Sequence, residues 1–400
     1  MTITSYAIEM ESEVHRVQVE KLVAGGEGLA RLKDGRVVFV PAVIAGEMID
    51  IQLVEKKTDF ARAILTGVVE PSSFRRPAPC PEVARGCGGC DWQHMQRERQ
   101  SSSKADIVKE AFLRTAKLVV DIPEAITLPD SARRTTVRMV AGADGIVGFR
   151  ASDSHDIVTT SNCMVTHDAL NDVLKGPVLE GAGEVTLRVG ARTGDLGAWC
   201  HEGRLSEALP ALIKRGEKAR MKEVIHGHEF QVSMGSFFQP SPEAAEMIAD
   251  TIVAGLDDLG TEGGMLIDAY GGIGLFAGCF AHRFDELIVV ENNKSACGDA
   301  IVNLADCAAT IVECAVEQWT PAAADVVIAD PARAGLGKAG VRALLGAQAP
   351  VFILVSCDAV AAARDVGLLA GNGYSVHSVT ALDLFPETHH VEVVSVLTRS

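Results

Sequence analysis

The sequence predicts an α/β protein with a small N-terminal β-barrel, a mixed α+β middle and a C-terminal parallel sheet covered by helices. Between residues 14 and 69, short β-branched runs alternate with turns such as Gly25-Gly26, a pattern typical of a small antiparallel barrel. Beyond Pro242, helical segments alternate with short apolar strands such as DVVIAD and VFILVS. This alternation predicts a parallel sheet that binds ligands at the carboxyl ends of its strands.

Length and composition indicate a multidomain protein. The chain has 400 residues, of which 48% are hydrophobic, and at roughly 100–200 residues per domain it can form two or three cores. The Pro-rich stretch EPSSFRRPAPCPE at 70–82 interrupts the barrel pattern and indicates a linker. We therefore expect domains at 1–74, 75–235 and 236–400.

The sequence also predicts the compartment. Its first residues, MTITSYAIEMESEV, hold no basic segment followed by an apolar stretch, and no apolar run approaches the ~20 residues of a membrane helix. We therefore expect a cytoplasmic protein without a membrane association. No pattern in the sequence indicates an obligate protein partner.

Charge is distributed unevenly along the chain. The net charge is −16, and residues 231–400 contribute most of it, with 7 Lys and Arg against 21 Asp and Glu. Residues 75–150 are basic instead, with 13 Lys and Arg against 9 Asp and Glu. The basic residues there include Arg75, Arg76, Arg133, Arg134 and Arg138. The middle of the chain can therefore contact a polyanion, although net charge alone neither indicates nor excludes RNA.

Three clustered cysteines point to a metal site. Cys80, Cys87 and Cys90 lie within CPEVARGCGGC, and Cys163 is a candidate fourth ligand. Cysteines of a cytosolic protein stay mostly reduced, so a cluster of them favours metal ligation over disulfides. Four thiolates suit an iron–sulfur cluster or a structural zinc, and the spacing does not choose between them. Unrelated buried thiols are the remaining alternative.

A glycine-rich turn follows the first apolar strand of the C-terminal part. The segment DAYGGIG runs from Asp268 through Tyr270 and Gly272 to Gly274, and Glu291 closes the next strand, LIVVE. Such a turn lets the backbone approach a nucleotide-like ligand, and the acid can bind a ribose diol. The pattern fits S-adenosylmethionine better than a nicotinamide cofactor, and a purely structural turn is a further alternative.

Two further strand ends carry reactive side chains. Asp330 follows the strand VVIA and Cys357 follows VFILVS, so both should lie at the rim that holds the glycine-rich turn. A single cysteine at a strand end is more often a packing residue, but a neighbouring cofactor site favours a nucleophile. Glu392, beside His389 and His390 in THHVE, is compatible with a metal site or a solvated loop when considered alone.

Together these motifs resemble the RNA 5-methyluridine methyltransferases that carry a TRAM domain and a [4Fe-4S] cluster. GGEGLARLKDGRVVFVPAVIAGE resembles TRAM, CGGCDWQH the cluster motif and GSFFQ the start of the methyltransferase domain. DAYGGIG, DPARAG, SCDAVAAARD and DLFPETHHVE follow in the family's order. The resemblance covers nearly the whole chain. It implies an OB-like TRAM barrel, a central α+β iron–sulfur domain and a Rossmann-like class I S-adenosylmethionine methyltransferase domain.

The resemblance also implies roles for individual residues. It places the cluster on Cys80, Cys87, Cys90 and Cys163, and the methyl donor and its surroundings on Gln239, Tyr270, Glu291 and Asp330, with Asp268, Gly272 and Gly274 in the turn. It makes Cys357 the nucleophile and Glu392 the general base. It implies that a helix at about 94–123 packs on the catalytic domain while the middle of the chain cradles RNA, more often 23S ribosomal RNA than transfer RNA.

The chemistry explains why such an enzyme needs both residues. Carbon 5 of uracil is a poor nucleophile, so a thiolate must first add to carbon 6, and a base must later remove the carbon 5 proton. The uridine must leave its stack, and Phe237 and Phe238 are candidate stacking partners, with core packing expected for at least one.

Three other functions are compatible with these motifs. They are a methyltransferase of the same core acting on cytosine, protein or a small molecule, a non-catalytic RNA-binding protein, and a radical enzyme. A fourth thiolate from Cys163 argues against the last, because it would close the open iron site.

The chain departs from the family's pattern at four places. Gly271 stands where Cys is common, Ser241 where Asn is common, and Asp358-Ala359 where Asn-Pro is common, and a polar residue for the adenine is missing near Cys314. We expect the glycine to be harmless. Asp358 beside the nucleophile should raise the pKa of the Cys357 thiol.

Overall fold

The N-terminal part of the chain forms a closed barrel of five strands. The computed structural model describes residues 13–152 and 154–399, so the expectation drawn from the first residues lies largely outside it. The strands are β1 (Val14–Leu22), β2 (Gly28–Arg31), β3 (Val37–Val40), β4 (Met48–Lys56) and β5 (Phe60–Glu70), in the order β1-β2-β3-β5-β4. All pairings are antiparallel except β3 with β5. The barrel follows from the alternation in the sequence, because residues such as Ile49, Ile51 and Leu53 are buried and their neighbours less so.

The middle of the chain combines short helices with a six-stranded sheet. Its helices are α1 (Pro81–Ala84), α2 (Arg97–Ala111), extended by a π-helical turn at Phe112–Ala116, and α3 (Asp168–Val173). Its strands are β6 (Ile126–Thr127), β7 (Thr136–Ala141), β8 (Val147–Arg150), β9 (Ile157–Thr159), β10 (Gly183–Val189), β11 (Leu196–Glu202), β12 (Lys214–Arg215), β13 (Arg220–Ile225) and β14 (His228–Ser233). The sheet has the order β12-β11-β10-β7-β8-β9, and β13 pairs with β14.

The C-terminal part is a mixed sheet covered by helices. The helices are α4 (Pro242–Asp258), α5 (Leu275–Phe280), α6 (Lys294–Asn303), α7 (Gly337–Leu344) and α8 (Ala359–Ala370), with 3₁₀ turns at Val316–Gln318 and Leu345–Ala347. The strands are β15 (Met265–Ala269), β16 (Glu286–Glu291), β17 (Ala309–Glu313), β18 (Val326–Ala329), β19 (Val351–Ser356), β20 (Tyr374–Asp383) and β21 (Glu392–Arg399). The order is β17-β16-β15-β18-β19-β21-β20-β6. Strands β15 to β19 are parallel as expected, and β21 is antiparallel to both of its neighbours.

Helix α2 and strand β6 join this C-terminal sheet although they come early in the chain. Strand β6 pairs with β20 at the edge, and α2 packs beside α8 and β20. Lys104 of α2 forms an ion pair with Asp383 at the end of β20, both side chains being fully buried, and it donates to the carbonyl of Phe385 at 3.2 Å. Because breaking a buried pair leaves an uncompensated charge, this contact fixes the helix against the end of the strand.

The barrel is attached through the segment that follows the clustered cysteines. Trp92 is 1% exposed, and its indole N–H donates to the carbonyl of Gly26 in the β1–β2 turn at 3.1 Å. A buried indole needs such an acceptor, so the contact fixes both the ring and the turn. Over the described residues, no helix combines the length and apolar character that crossing a membrane requires.

Candidate active site

The predicted strand-end residues meet at one rim of the C-terminal sheet. Asp268 is the second-last residue of β15, Glu291 ends β16, and Asp330 and Cys357 directly follow β18 and β19. Glu392 joins them from the opposite direction. Strand β21 is antiparallel to β19, and the pairing of Ser356 with Val393 brings Cys357 beside Glu392. An antiparallel strand begins where its parallel neighbours end, so the topology itself brings the thiol and the acid together.

The glycine-rich turn and Glu291 form a second half of this rim. Gly272 and Gly274 have φ of 54° and 76°, and Tyr270 has φ of 57°. The backbone N–H of Gly272 donates to Glu291 Oε2 at 3.0 Å. A tyrosine in left-handed backbone is uncommon and marks a turn that its surroundings hold under strain.

A group of buried acids lies under the rim. Burial raises the pKa of Asp268 to about 7, with Asp330 and Glu291 adding to the effect. Burial also raises the pKa of Asp330 to about 7, although the hydrogen bond that Gln239 Nε2 donates to it at 3.1 Å acts to lower this pKa. Glu392 is 5% exposed, and burial followed by repulsion from Asp330 raises its pKa well above the ordinary value. Asp268 and Asp330 can therefore hold or release protons near neutral pH.

Two of these acids have an unused oxygen. Asp268 Oδ2 accepts a hydrogen bond from the backbone N–H of Ala277 at 3.0 Å, but Oδ1 has no partner among the described residues. Oε1 of Glu392 is likewise buried without a partner within the described part of the chain. Buried polar atoms are normally satisfied, so an exception of this kind is typical of a site that receives a ligand or a proton.

Cys357 is a protonated thiol at neutral pH in this environment. Burial, with Glu392 and Asp330 adding to the effect and Arg333 opposing it, raises the pKa of Cys357 to about 11. Only the thiolate is a good nucleophile. A positive charge bound at the rim would lower the pKa of this thiol and favour its ionised form.

This environment predicts the alkylation behaviour of Cys357 in the protein alone. Iodoacetamide should modify it slowly at about pH 7 and roughly ten times faster for each pH unit upward, because the thiolate fraction grows by that factor below the pKa. Glu392→Gln removes a negative neighbour, which lowers the pKa and should speed alkylation at about pH 8 to 9. Mass spectrometry of the peptide containing Cys357 measures both rates. A rate that is flat across this pH range would contradict the raised pKa.

The expectation for Asp358 is wrong. Its Oδ1 accepts hydrogen bonds from the backbone N–H groups of Val360 and Ala361 at 3.0 and 2.9 Å, and Oδ2 lies 3.7 Å from Arg333 Nε. Asp358 therefore caps α8, and the acids that raise the pKa of Cys357 are Glu392 and Asp330. Asp and Asn are equally good N-caps, and the first helical position tolerates Ala as well as Pro. The replacement of Asn-Pro thus preserves the local structure.

The other departures also have local explanations. Ser241 caps α4 by accepting from the N–H of Ala244 at 3.1 Å, so it replaces an asparagine with another good cap. A Cβ on Gly271 would lie 2.7 Å from Val289 Cγ1 and 2.9 Å from Asp268 Cγ. Cysteine would not fit there without a shift, and glycine is needed in this chain. Cys314 is half-buried, and its N–H donates to the carbonyl of Glu291 at 3.0 Å.

The two aromatic candidates before Gln239 separate clearly. Phe238 is 7% exposed and packs in the core around α4, whereas Phe237 is 71% exposed. Gln239, the residue that bonds Asp330, is buried beside them. Phe237 is thus available to a ligand at the rim, and Phe238 is a packing residue as expected for one of the pair.

The loop between β20 and β21 is held by Asp91 and Arg76, for which the sequence indicated no such role. Asp91 Oδ2 lies 2.6 Å from His389 Nδ1, and Arg76 Nη2 donates to both carboxylate oxygens of Glu387 at 2.7 Å. His389 thus pairs with a carboxylate of the segment around the clustered cysteines, residues 76–92, which we call the cysteine segment. This contact excludes the interpretation of THHVE as a solvated loop. The sequence placed Asp91 inside the CGGCDWQH motif and Arg76 among the basic residues, but it indicated neither contact.

The four predicted cysteines line a single cavity. Cys80, Cys87, Cys90 and Cys163 surround it, and none forms a disulfide. Burial raises the pKa of Cys90 to about 11, and Cys163 and Cys87 lie close enough to add to the effect. Gly88 and Gly89 wrap closely: a Cβ on Gly88 would meet Arg150 O at 3.0 Å. Among the described residues, no three or more His, Cys, Asp or Glu side chains are arranged to hold a single metal ion.

Known proteins resemble this chain over nearly its whole length. Residues 9–66 match the TRAM domain family. A protein of Streptomyces avermitilis named as an uncharacterized RNA methyltransferase is 32% identical over 96% of this chain and 98% of its own length. One of Streptomyces coelicolor with the same description is 32% identical over 98% of this chain and 94% of its own.

A solved structure shares the whole architecture. It is Pyrococcus abyssi tRNA (uracil-54, C5)-methyltransferase in complex with S-adenosyl-L-homocysteine, with a TM-score of 0.72 and 22% identity. The alignment covers 96% of this chain and 99% of that one. The N-terminal barrel and the α/β fold predicted for the C-terminal part are thereby confirmed.

Proposed function

Since the chain belongs to a family of RNA methyltransferases, we propose that it transfers a methyl group from S-adenosylmethionine to carbon 5 of a uridine in RNA. The observation that carries this proposal is the meeting of Cys357 and Glu392 across β19 and β21. A thiol and a buried carboxyl group side by side are what addition to carbon 6 and proton removal at carbon 5 require.

The glycine-rich turn at the rim of the sheet is suited to bind the methyl donor. When bound, the donor supplies a transferable methyl group on a positively charged sulfur. Gly272 and Gly274 allow close approach of the backbone, and Glu291 ends the strand where a ribose-binding acid is expected. Tyr270 and Asp268 complete the turn, and the unpartnered oxygen of Asp268 and the acidic rim favour a cationic ligand. A cation there would also lower the pKa of Cys357.

Cys357 and Glu392 then act in sequence. The Cys357 thiolate would form a bond to carbon 6, and the electron pair of the 5,6 double bond would move toward carbon 5. Carbon 5 would then take the methyl group, the methyl–sulfur bond of the donor breaking with its electron pair left on sulfur. The Glu392 carboxylate removes the carbon 5 proton, the double bond re-forms, and Cys357 leaves as thiolate. The raised pKa of Glu392 makes it a stronger base, and Asp330, held by Gln239, can donate a hydrogen bond to the edge of the base.

We assign RNA contact to the TRAM barrel within 1–74 and to the middle part at 75–235, whose residues 75–150 are basic, and catalysis to 236–400. Phe237, exposed next to Gln239, is the proposed stacking partner of a displaced base. The preferred substrate to test first is 23S ribosomal RNA, with transfer RNA, the substrate of the Pyrococcus abyssi enzyme, as the alternative. Both offer unpaired uridines that can reach a recessed thiol.

Phe237→Ala should weaken RNA binding with little effect on the fold. Base–aromatic stacking contributes about 1–3 kcal/mol per base, so KM for RNA should rise about 5- to 100-fold while the KM for the donor stays unchanged. Ile301→Ala is the matched control, because Ile301 is 60% exposed on α6 and lies outside the parts of the chain assigned to RNA contact. Equal KM values for both variants would remove Phe237 from the RNA site.

The cysteine cavity is the proposed site of a [4Fe-4S] cluster. Zinc and an iron–sulfur cluster both take four thiolates, and the resemblance of CGGCDWQH to the cluster motif favours the cluster. A larger group with four separate sulfur ligands suits one cavity lined by all four. Methyl transfer needs no electron transfer, so the role of the cluster is to hold the loop around Gly86, Gly88 and Gly89 in place.

Cys163→Ser tests this site by metal content. Protein purified without oxygen should contain iron and acid-labile sulfide, and the variant should lose most of both and unfold at a lower temperature. Cys200→Ser is the control, since Cys200 is a half-buried thiol on β11 away from the cavity. Zinc without sulfide in the wild-type protein would contradict the cluster.

Labelled donor and unmodified total RNA test the proposed function directly. Nucleosides from the digested RNA are separated by mass, and label is expected in 5-methyluridine. Fractionation of the RNA before digestion identifies the substrate. Label in transfer RNA would correct the choice of substrate, and label in 5-methylcytidine or in protein would overturn the uridine assignment.

A further inference from the structure

The loop that leads into Glu392 is held by parts of the chain outside the C-terminal sheet. It comprises residues 384–391, between β20 and β21. Asp91, next to Cys90, binds the loop at His389. Asp91 Oδ2 lies 2.6 Å from His389 Nδ1, and Asp91 Oδ1 accepts a hydrogen bond from the backbone N–H of His389 at 3.1 Å. One carboxylate thereby fixes both the side chain and the backbone of a residue three positions before the base.

Glu387 gives the loop a second anchor. It has φ of 68°, a left-handed backbone conformation, and is 6% exposed. Its N–H donates to Gln100 Oε1 at 2.9 Å and its carbonyl accepts from the N–H of Trp92 at 3.0 Å. Its carboxylate accepts from Arg76 and from Gln100. A strained backbone persists only where its surroundings determine it, and here the cysteine segment and α2 do so.

The N-terminal barrel packs against another side of this loop. A Cβ on Gly26 would lie 2.6 Å from His389 Cβ, so the β1–β2 turn packs directly on His389. The same Gly26 accepts the indole N–H of Trp92. His389 is thus enclosed between the barrel turn and Asp91, and neither belongs to the sheet that carries Cys357.

Glu392 itself has little to fix its carboxyl group. Its Oε1 has no hydrogen-bond partner among the described residues, so the position of the base depends on the backbone that precedes it. We propose that the Asp91–His389 pair positions Glu392, and that the cysteine segment thereby controls the proton-removal step. This inference rests on the proposed function and concerns two residues that act through the base, without contact to substrate.

The proposal predicts a selective defect. With the pair removed, Cys357 still adds to carbon 6 and methyl transfer still occurs, but proton removal slows. Covalent enzyme–RNA adduct should therefore accumulate in Asp91→Ala and His389→Ala, with kcat reduced about tenfold or more and KM for RNA changed less than about twofold. If the substitutions only destabilised the fold, they would lower the amount of active enzyme without raising the fraction of enzyme in the covalent adduct.

The experiment measures kcat, KM and the adduct fraction on denaturing gels with labelled RNA. Asp250→Ala is the matched control, because Asp250 pairs with His226 at 3.0 Å on the surface of α4 and should leave all three unchanged. Asp91→Asn keeps an acceptor for the His389 backbone and should recover part of kcat. Iron content and unfolding temperature of each variant are measured alongside.

His389→Ala keeps the inference testable if Asp91→Ala loses iron, because it leaves the cysteine segment unchanged. An adduct fraction in His389→Ala equal to that of Asp250→Ala would overturn the positioning role, as would a raised KM with unchanged kcat. Failure of the proposed function is distinguishable, because then the wild-type enzyme itself would form neither 5-methyluridine nor adduct.

Discussion

Cys357→Ala is expected to abolish methyl transfer to RNA, lowering the rate by at least about four orders of magnitude. Without the sulfur, carbon 5 of the base is never activated, and no neighbouring group replaces a covalent nucleophile. The acids and the glycine-rich turn remain, so binding of the methyl donor should be unchanged. Incorporation of labelled methyl into RNA measures the first effect, and calorimetric titration of the donor measures the second.

Cys307→Ala is the control for this substitution. Cys307 is half-buried and packs near α6, so its loss removes a thiol of the same domain without touching the rim. Undiminished labelling by Cys357→Ala would refute the covalent mechanism. Loss of donor binding in that variant would instead show that the thiol supports the donor site.

Glu392→Gln is expected to trap the enzyme on its substrate. The amide keeps the shape of the side chain but cannot remove the carbon 5 proton, so Cys357 cannot be released. Turnover should fall about 10²- to 10⁴-fold, while a methylated covalent complex of protein and RNA accumulates. The complex is measured as a slowly migrating band on a denaturing gel with label in either the RNA or the methyl group.

Glu286→Gln provides the comparison. Glu286 is an exposed residue at the start of β16, at the opposite end of the sheet from the rim, and its substitution should leave turnover and adduct fraction unchanged. Release of 5-methyluridine by Glu392→Gln at the wild-type rate would assign proton removal to another group, for which Asp330 is the nearest alternative.

The sequence predicted most of the candidate site because its residues follow a simple topological rule. The carboxyl ends of parallel strands share one rim, and the residues at or within one position of such ends are Asp268, Glu291, Asp330 and Cys357. The four cysteines also met as expected, because short spacing left three of them few other arrangements. In both cases, local pattern and chain topology are enough to bring side chains together.

Side-chain direction and long-range polar packing could not be predicted in this way. The segment RERQSSSK looks solvent-exposed, yet Gln100, Ser101, Ser103 and Lys104 are buried because each finds a polar partner elsewhere in the fold. Asp358 was placed beside the thiol by sequence adjacency, whereas its carboxylate points toward the start of α8. A pattern of apolar residues carries no information about either feature.

The position of β21 has a consequence for how the chain acquires its fold. Residues 392–399 lie between β19 and β20, so both neighbours keep open hydrogen-bonding edges until this strand is synthesised and inserted. The Lys104–Asp383 pair adds a contact across 279 positions, and closing so long a loop is slow. The nascent chain on the ribosome can therefore complete its barrel by residue 70, whereas the thiol and the carboxyl group meet only after β21 has been synthesised and has inserted between β19 and β20.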